Sequence, residues 1–232
     1  MTIKAVIFDL DNTLVNRRTA FQIFSNRFID KYVECKDYGS RSEIINLMRI
    51  ADRDGYRNKR ELFDELKTSL VMNNNEIKTD ELLNFWSSEF LDCTVLMNGA
   101  LEVLDYLKSK NYKLGIITNG SVYSQNTKID KVKIREYFDT ILVSDEMGIK
   151  KPDKEIFDIA LDRLGFRAES CLFVGDNPEL DVIGARAAGL NAVWLEGFME
   201  WKEASEVPIN KINQLLDLIH VVEDNSRKAR NF

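Results

Sequence analysis

Five short, continuous apolar runs constrain the fold of this chain more than any other feature. They cover residues 4–8, 113–118, 140–144, 171–175 and 192–195. Each run is apolar at consecutive rather than alternating positions, which is typical of parallel strands covered on both faces. Segments with helical spacing separate the later runs, and Gly165 ends one of them as a C-cap would. The alternation predicts a doubly wound α/β domain with a parallel sheet and right-handed crossovers.

The interval from residue 15 to residue 96 shows no strand-like run. Apolar residues recur there at helical spacing, in three sets: Phe21, Phe24, Phe28 and Tyr32; Leu62, Leu66 and Leu70; and Leu82, Leu83, Trp86 and Phe90. Such stripes usually face other helices, so we favour a bundle core over a cofactor-binding surface. The pattern predicts an all-helical domain of residues 15–96, inserted into an α/β core of residues 1–14 and 97–232.

Composition excludes several kinds of chemistry. The 232-residue chain has one histidine, so a His-rich zinc site is nearly excluded and a Ser-His-Asp system would have to rest on His220, which we expect to be a structural or surface residue. Cys35, Cys93 and Cys171 form no CxxC pair, which favours reduced thiols in a cytoplasmic protein. A net charge of −6 argues against a nucleic-acid polymer as the partner. No run approaches the ~20 apolar residues that span a bilayer, so no membrane role is expected.

Two aspartates directly follow the first apolar run. If the chain stays extended there, Asp9 and Asp11 point into the same crevice at the carboxyl end of the strand, where open α/β sheets bind ligands. Like charges this close are costly without a cation, so the pair predicts a hard divalent metal ion. The alternative is a solvated acidic turn, although an ordinary turn has no reason to follow a buried strand directly.

Three further strand ends add complementary groups. The second run ends in Thr118-Asn119-Gly120, a hydroxyl and an amide before a helix that we expect to begin near Ser121, which together suit an anion. A cation follows the third run, where we expect a helix to begin at Pro152 and take Lys151, rather than the adjacent Lys150, as the functional residue. Additional acids and an amide follow the fourth run, at Asp176, Asn177 and Asp181. Each signal alone is weak, but together they suit a phosphoryl group bound by metal and lysine.

In this order, the four segments resemble the four motifs of the haloacid dehalogenase (HAD) superfamily. The matching patterns are Asp9-x-Asp11-x-Thr13, Thr118-Asn119-Gly120, Lys151-Pro152-Asp153 and Gly175-Asp176-x4-Asp181. The helical insertion is similar to the family's C1-type cap in position and character. The resemblance implies a Rossmann-like core, Mg²⁺ as cofactor and a small phosphorylated molecule as substrate.

The resemblance also implies a role for each matching residue. Asp9 would be the nucleophile that forms an aspartyl-phosphate, and Asp11 would be the general acid and then the general base. Mg²⁺ would bind the Asp9 carboxylate, the Asp11 backbone carbonyl and Asp176. The metal ligands would be supported by Asp181 and Asn177, and the phosphoryl oxygens would be held by Thr118, Asn119, Gly120 and Lys151.

Asp11 separates reactions within the superfamily, because the dehalogenase branch lacks this second aspartate. Its presence favours phosphoryl transfer, and Asp-x-Asp-Asn-Thr is commoner among small-molecule phosphatases, including nucleotidases and sugar phosphatases. We therefore expect a phosphatase acting on a nucleotide or sugar phosphate. A β-phosphoglucomutase-like phosphomutase is the main alternative, and a non-catalytic regulatory protein is a weaker one.

The resemblance implies that loops of the cap meet the leaving group of the substrate. An arginine there could bind a second phosphate or a carboxylate, although an exposed charge on an amphipathic bundle is at least as common. The candidates are Asn16, Arg17, Arg18, Arg49, Arg53, Tyr56 and Arg57.

Overall fold

The computed structural model describes residues 2–35, 37–201 and 210–230. The chain forms two compact units, Met1–Asn16 with Leu96–Phe232, and Arg17–Val95. The unit boundaries lie close to those expected from the sequence, at residues 14/15 and 96/97.

A parallel sheet organises the first unit. In the described residues its strands are β1 (Ala5–Phe8), β2 (Lys113–Thr118), β3 (Thr140–Val143), β4 (Cys171–Gly175), β5 (Asn191–Leu195) and β6 (Lys211–Ile212). Their spatial order is β3-β2-β1-β4-β5-β6, and every neighbouring pair is parallel. The predicted doubly wound α/β fold is confirmed. Only β6 was not expected, because two residues are too short to give an apolar run.

Helices cover both faces of this sheet. In chain order the helices of the molecule are α1 (Arg17–Tyr32), α2 (Tyr38–Asp52), α3 (Lys59–Ser69), α4 (Thr79–Glu89), α5 (Ala100–Ser109), α6 (Val122–Lys131), α7 (Ser144–Met147), α8 (Lys154–Leu164), α9 (Gly184–Ala187) and α10 (Leu218–Arg230). Alternate residues of each strand enter opposite cores: Val6 and Phe8 lie in one apolar cluster, and Ala5 and Ile7 lie in the other. Burial on both faces explains why these runs are continuously apolar.

Side-chain caps determine where two helices near the sheet begin. Ser121 is the N-cap of α6, as expected, and its side chain accepts a hydrogen bond from the Ser124 amide at 3.2 Å. The expectation that Pro152 begins the next helix was wrong. Instead α8 begins at Lys154, because the Asp153 carboxylate caps it by accepting from the Glu155 amide at 3.0 Å.

Helices α1–α4 form the second unit around an aromatic core. The four rings of the α1 stripe are buried, and Phe24 packs edge-on against Trp86 of α4 with centroids 4.8 Å apart. The stripe therefore packs against other helices of the unit. No helix in the described parts of the chain combines the length and apolarity needed to cross a membrane.

One buried ion cluster joins three segments of this helical unit. Asp52, with 1% of its side chain exposed, accepts from Arg17 Nη2 at 2.8 Å and from Lys59 Nζ at 2.8 Å. The same ammonium donates to the carbonyls of Gly55 and Arg57. Gly55 has φ of +100°, and a Cβ there would lie 2.7 Å from Arg17 guanidinium atoms. The cluster thus closes the turn that follows α2.

The residues expected to select substrate differ in their surroundings. Arg17 belongs to the buried cluster, Arg57 pairs with Glu65 at 2.6 Å, and the Tyr56 side chain is exposed. A role in specificity for these residues stays a prediction.

Candidate active site

The functional side chains lie where the carboxyl ends of four strands meet. The order of the sheet reverses at β1 and β4, which are neighbours, and this is the position where open α/β sheets bind ligands. Asp9 follows β1, and its amide donates to the carbonyl of Val174 in β4 at 2.9 Å. Asp176 follows β4, and Thr118 ends β2. Parallel alignment alone therefore brings together residues more than a hundred positions apart.

Lys151 is the cation at the centre of this site. Its ammonium donates to Asp9 Oδ1 at 2.6 Å and to Asp181 Oδ1 at 2.7 Å, and 2% of its side chain is exposed. Burial lowers the pKa of Lys151, but the charges of Asp181 and Asp9 outweigh that effect and raise it above its ordinary value. Lys151 therefore stays charged. Lys150 is exposed, as expected.

Three buried carboxylates lie together at this site, and Lys151 contacts two of them. Asp9, Asp176 and Asp181 each place an oxygen within 4.8 Å of the others. Hard oxygen donors at this separation, with more negative than positive charge, suit a divalent cation such as Mg²⁺. The family resemblance implies that Asp181 supports the metal ligands and does not bind the metal directly. In the structure its carboxylate lies beside those of Asp9 and Asp176, and one of its oxygens also accepts from Lys151. Which of these carboxylates binds the metal stays a prediction.

The pKa values of Asp9 and Asp176 are both raised at this site. The pKa of Asp9 is raised to about 7, because burial and the charges of Asp181 and Asp11 together outweigh the lowering effect of Lys151. The pKa of Asp176 is also raised well above its ordinary value, first by burial and then by the charges of Asp9 and Asp181. A divalent cation would favour the ionised form of both groups, because ligands must lose their protons to bind a metal.

The loop after β4 holds Asp181 in place. The Asn177 amide donates to Asp181 Oδ2 at 2.9 Å, and the Asn177 side chain caps the following π-helical turn, Pro178–Ile183. Gly175 is required by close approach, since a Cβ there would lie 2.3 Å from Asp181 Oδ2. The indole of Trp194 donates to the Asp176 carbonyl at 3.0 Å, so the apolar core also supports this loop.

The segment after β2 contacts the lysine and the loop after β3. The Asn119 side chain donates to the Lys151 carbonyl at 3.0 Å and accepts from the Lys151 amide at 2.9 Å. The Gly120 amide donates to the Ser144 hydroxyl at 2.9 Å. Asn119 thereby links two of the predicted motifs. Phosphate binding by Thr118, Asn119 and Gly120 stays a prediction.

Asp11 lies beside a second buried lysine that sequence reasoning missed. Lys128 Nζ donates to both carboxylate oxygens of Asp11, at 2.8 and 2.6 Å, and Gln125 Nε2 donates to Asp11 Oδ2 at 3.1 Å. Both side chains belong to α6 and are buried. A signal existed: Gln125 and Lys128 share the face of α6 on which Ile129 is buried, where an ordinary amphipathic helix has apolar residues.

His220 lies outside this cluster, and Trp194 contacts it only through the Asp176 backbone carbonyl. His220 is exposed on α10. The buried Trp194 ring packs against Trp201 with centroids 5.5 Å apart.

The fold and the carboxylate-lysine site define a class of protein. Residues 6–195 match the family model of haloacid dehalogenase-like hydrolases. This match covers most of the chain, including all four motif segments, so the chain belongs to this family of hydrolases.

Particular relatives are phosphatases of small molecules. The chain is 29% identical over 222 residues to the glyceraldehyde 3-phosphate phosphatase of Methanocaldococcus jannaschii, covering 94% of this chain and 97% of that protein. It is 37% identical over 127 residues to the pyrimidine 5′-nucleotidase YjjG of Escherichia coli, covering 54% and 56% of the two chains. Its fold is similar to that of the HAD hydrolase YfnB from Bacillus subtilis, a structure with bound magnesium (TM-score 0.75, 25% identity, covering 96% and 99%).

Proposed function

We propose that this protein is a Mg²⁺-dependent phosphatase that hydrolyses a small phosphate monoester through an aspartyl-phosphate on Asp9. The observation that supports this most is the buried cluster at the sheet edge, in which Asp9 lies 2.6 Å from the Lys151 ammonium and shares its surroundings with Asp176 and Asp181. An anionic nucleophile can approach an anionic phosphate only where positive charge offsets the repulsion.

The metal would be held by the carboxylates of Asp9 and Asp176 and by the Asp11 carbonyl, with Asp181 beside them. When bound, Mg²⁺ supplies positive charge next to the nucleophile and the phosphoryl oxygens. The Lys151 ammonium adds a second fixed positive charge.

The reaction then proceeds in two displacements. An Asp9 carboxylate oxygen attacks phosphorus, the bond from phosphorus to the ester oxygen breaks, and Asp11 gives its proton to the leaving alkoxide. Water next attacks the phosphorus of the aspartyl-phosphate while Asp11 takes a proton from it. Inorganic phosphate leaves, and the Asp9 carboxylate is restored. Thr118 and Lys151 would bind the phosphoryl oxygens in both displacements.

Asp11 is the residue that favours a phosphatase over a dehalogenase. A halide leaves carbon without a proton, whereas an alkoxide leaving phosphorus needs one, so an acid two residues after the nucleophile serves only the second reaction. Its carboxylate lies at the same sheet edge, with a quarter of its side chain (25%) exposed to solvent.

The relatives guide the choice of substrates. A triose phosphate is the substrate named for a relative that matches nearly the full chain, and pyrimidine nucleotides are named for one that matches about half. We therefore propose a sugar phosphate or a nucleoside monophosphate, and place triose and pentose phosphates first among the compounds to test.

The test is phosphate release from a panel of triose, pentose and hexose phosphates and nucleoside monophosphates, with Mg²⁺ and with excess EDTA. We expect turnover that requires Mg²⁺ and falls by at least about 10⁴-fold in Asp9→Asn, because the nucleophile is lost. Asp162→Asn, which changes an exposed aspartate of α8, is the matched control and should leave turnover unchanged.

Three results would contradict the proposal. These are wild-type turnover by Asp9→Asn, no phosphate release by the wild type from any compound, and isomerisation of a sugar phosphate without net phosphate release. The last result would instead identify a phosphomutase.

A further inference from the structure

The two aspartates of the first motif have separate buried lysines from different parts of the chain. Asp9 pairs with Lys151, which follows β3, and Asp11 pairs with Lys128 of α6. The first lysine belongs to a motif recognised in the sequence, and the second does not. Lys128 has 7% of its side chain exposed, so this ion pair is not an ordinary surface contact.

Gln125 completes a closed set of contacts with Lys128 and Asp11. Lys128 Nζ donates to Gln125 Oε1 at 2.9 Å, which orients the amide so that Nε2 faces Asp11 Oδ2 at 3.1 Å and Thr118 Oγ1 at 2.5 Å. Gly120, with φ of +144°, packs against this amide: a Cβ there would lie 3.1 Å from Gln125 Cδ. The loop after β2 therefore holds the glutamine from its other side.

Asp11 needs such support because of its surroundings. Its charge acts on Asp9 and Asp176, both of which are buried carboxyls. Without a nearby cation, mutual repulsion would turn the Asp11 side chain toward solvent, since ion hydration outweighs unpaired burial. The ammonium contacts both Asp11 oxygens, so it restricts the plane of the carboxylate as well as its position.

We propose that Lys128 and Gln125 are positioning residues that hold the Asp11 carboxylate at the reaction centre and couple it to Thr118. This inference rests on the proposed function, because it assigns Asp11 the proton transfers of a phosphatase. Lys128 itself touches neither substrate nor metal in this scheme. It acts through Asp11.

The alternative is that the ion pair between Lys128 and Asp11 only stabilises α6. The two readings differ in how substitutions combine. A residue that acts through Asp11 has no effect once the Asp11 carboxyl is gone, whereas a residue that stabilises the helix lowers activity by the same factor in either background.

The test compares Lys128→Met, Asp11→Asn and the double variant, using kcat/KM for the alkyl phosphate that the wild type hydrolyses fastest in the panel. We expect Lys128→Met to lower kcat/KM by about 100-fold, near the lower limit for loss of general acid-base catalysis. In the Asp11→Asn background the same change should alter kcat/KM by less than about 2-fold. Lys131→Met, an exposed lysine of the same helix, is the matched control and should leave kcat/KM unchanged.

A second readout uses the leaving group. p-Nitrophenolate leaves without a proton, so Lys128→Met should lower kcat/KM for p-nitrophenyl phosphate by less than about 5-fold, far less than for the alkyl phosphate. Gln125→Met should show the same pattern with a smaller loss, and it provides the test if Lys128→Met fails to fold. Far-ultraviolet circular dichroism and an unchanged Mg²⁺-induced shift in Tm establish that the variants are folded.

Equal losses for both substrates, or an undiminished effect of Lys128→Met in the Asp11→Asn background, would overturn the inference while leaving the proposed function intact. Failure of the proposed function has a different signature, since the wild type would then release no phosphate at all.

Discussion

Both units of this molecule bury charged side chains, but the charges are balanced differently. In the helical unit, the buried carboxylate of Asp52 meets two cations, Arg17 and Lys59, and the less buried of these, Lys59, is 20% exposed. In the α/β unit, three buried carboxylates lie together, and two of them, Asp9 and Asp181, pair with Lys151. In the helical cluster, cations outnumber the carboxylate. In the sheet-edge cluster, formed by Asp9, Asp176, Asp181 and Lys151, carboxylates outnumber the cation.

The difference favours the sheet-edge cluster as the site that we propose for catalysis. Burial of an ion is costly, so a cluster whose charges are compensated by direct partners needs no ligand to be stable. A cluster with excess negative charge gains stability from a cation that the chain does not supply. Excess buried negative charge at the carboxyl ends of strands therefore supports the proposed active site, whereas the paired carboxylate between helices fits a structural contact.

The largest expected effect tests the cation of the sheet-edge cluster. Lys151→Met removes the positive charge that faces Asp9 and should lower kcat/KM for phosphate release by about 10³-fold, as loss of one preorganised charge at a reaction centre does. Lys150→Met changes the adjacent, exposed lysine and should stay within about 2-fold of wild type. Steady-state kinetics measure both. Equal losses in the two variants would remove the distinction between buried and exposed lysine.

The next effect tests the compensated cluster. Asp52→Asn leaves Arg17 and Lys59 without their anion and should lower the free energy of unfolding by about 3 kcal/mol. Asp80→Asn removes an exposed ion pair of the same unit, with Arg60, and should cost less than about 1 kcal/mol. Urea unfolding followed by circular dichroism measures both values.

The metal-binding response of Asp52→Asn sharpens the comparison. Its Mg²⁺-induced shift in Tm should match that of wild type, because the carboxylates proposed to bind metal belong to the other unit. A loss of the shift would mean that the helical cluster also contributes to metal binding.

A smaller effect tests how closely the helical cluster is packed. Gly55→Ala adds a Cβ at φ of +100° and 2.7 Å from the Arg17 guanidinium, so it should lower the free energy of unfolding by about 2 kcal/mol. Gly165→Ala also places alanine at positive φ, but nothing lies within 4 Å of its Cβ, and it should cost about 1 kcal/mol. If urea unfolding gives the same loss of unfolding free energy for Gly55→Ala and Gly165→Ala, the Arg17 side chain moves aside freely.

The smallest effect concerns pH and the excess charge at the sheet edge. Because burial raises the pKa of Asp9 to about 7, a proton occupies Asp9 below that pH and Mg²⁺ must displace it. One proton displaced weakens Mg²⁺ binding by about 10-fold at pH 6 relative to pH 8, or about 1.4 kcal/mol. Isothermal titration calorimetry with Mg²⁺ at the two pH values measures this change. The same Kd at both would show that Asp9 is ionised throughout, and Asp9→Asn should have a reduced pH dependence.

Much of the fold follows from local pattern. The runs that became β1–β5 are visible because strands buried on both faces must be apolar at every position. Ser121 and Gly165 were readable as helix ends because their roles depend on neighbouring backbone groups. The predicted start of α8 at Pro152 was wrong because the carboxylate of the next residue, Asp153, accepts a hydrogen bond from the helix and caps it.

The candidate site was predictable only in part. Asp9, Asp11, Lys151 and Asp176 were found because strand ends of a parallel sheet meet at one edge. The hydrogen bonds from Lys128 and Gln125 to Asp11 were not predicted, because they depend on how α6 is rotated against the sheet. A lysine in a helix is usually solvated, and polar residues on the apolar face of α6 indicate an unusual position without identifying Asp11 as the partner.

The sequence alone determined the parallel α/β core, the helical insertion and the set of polar residues at the strand ends, because hydrophobic periodicity and strand order act through near neighbours. Tertiary structure alone decided which charges are compensated. It paired Asp52 with two cations, left three carboxylates to one lysine and brought Lys128 to Asp11. The physical reason is that the energy of a buried charge depends on distance and solvent exclusion, and both are set only when distant segments pack together.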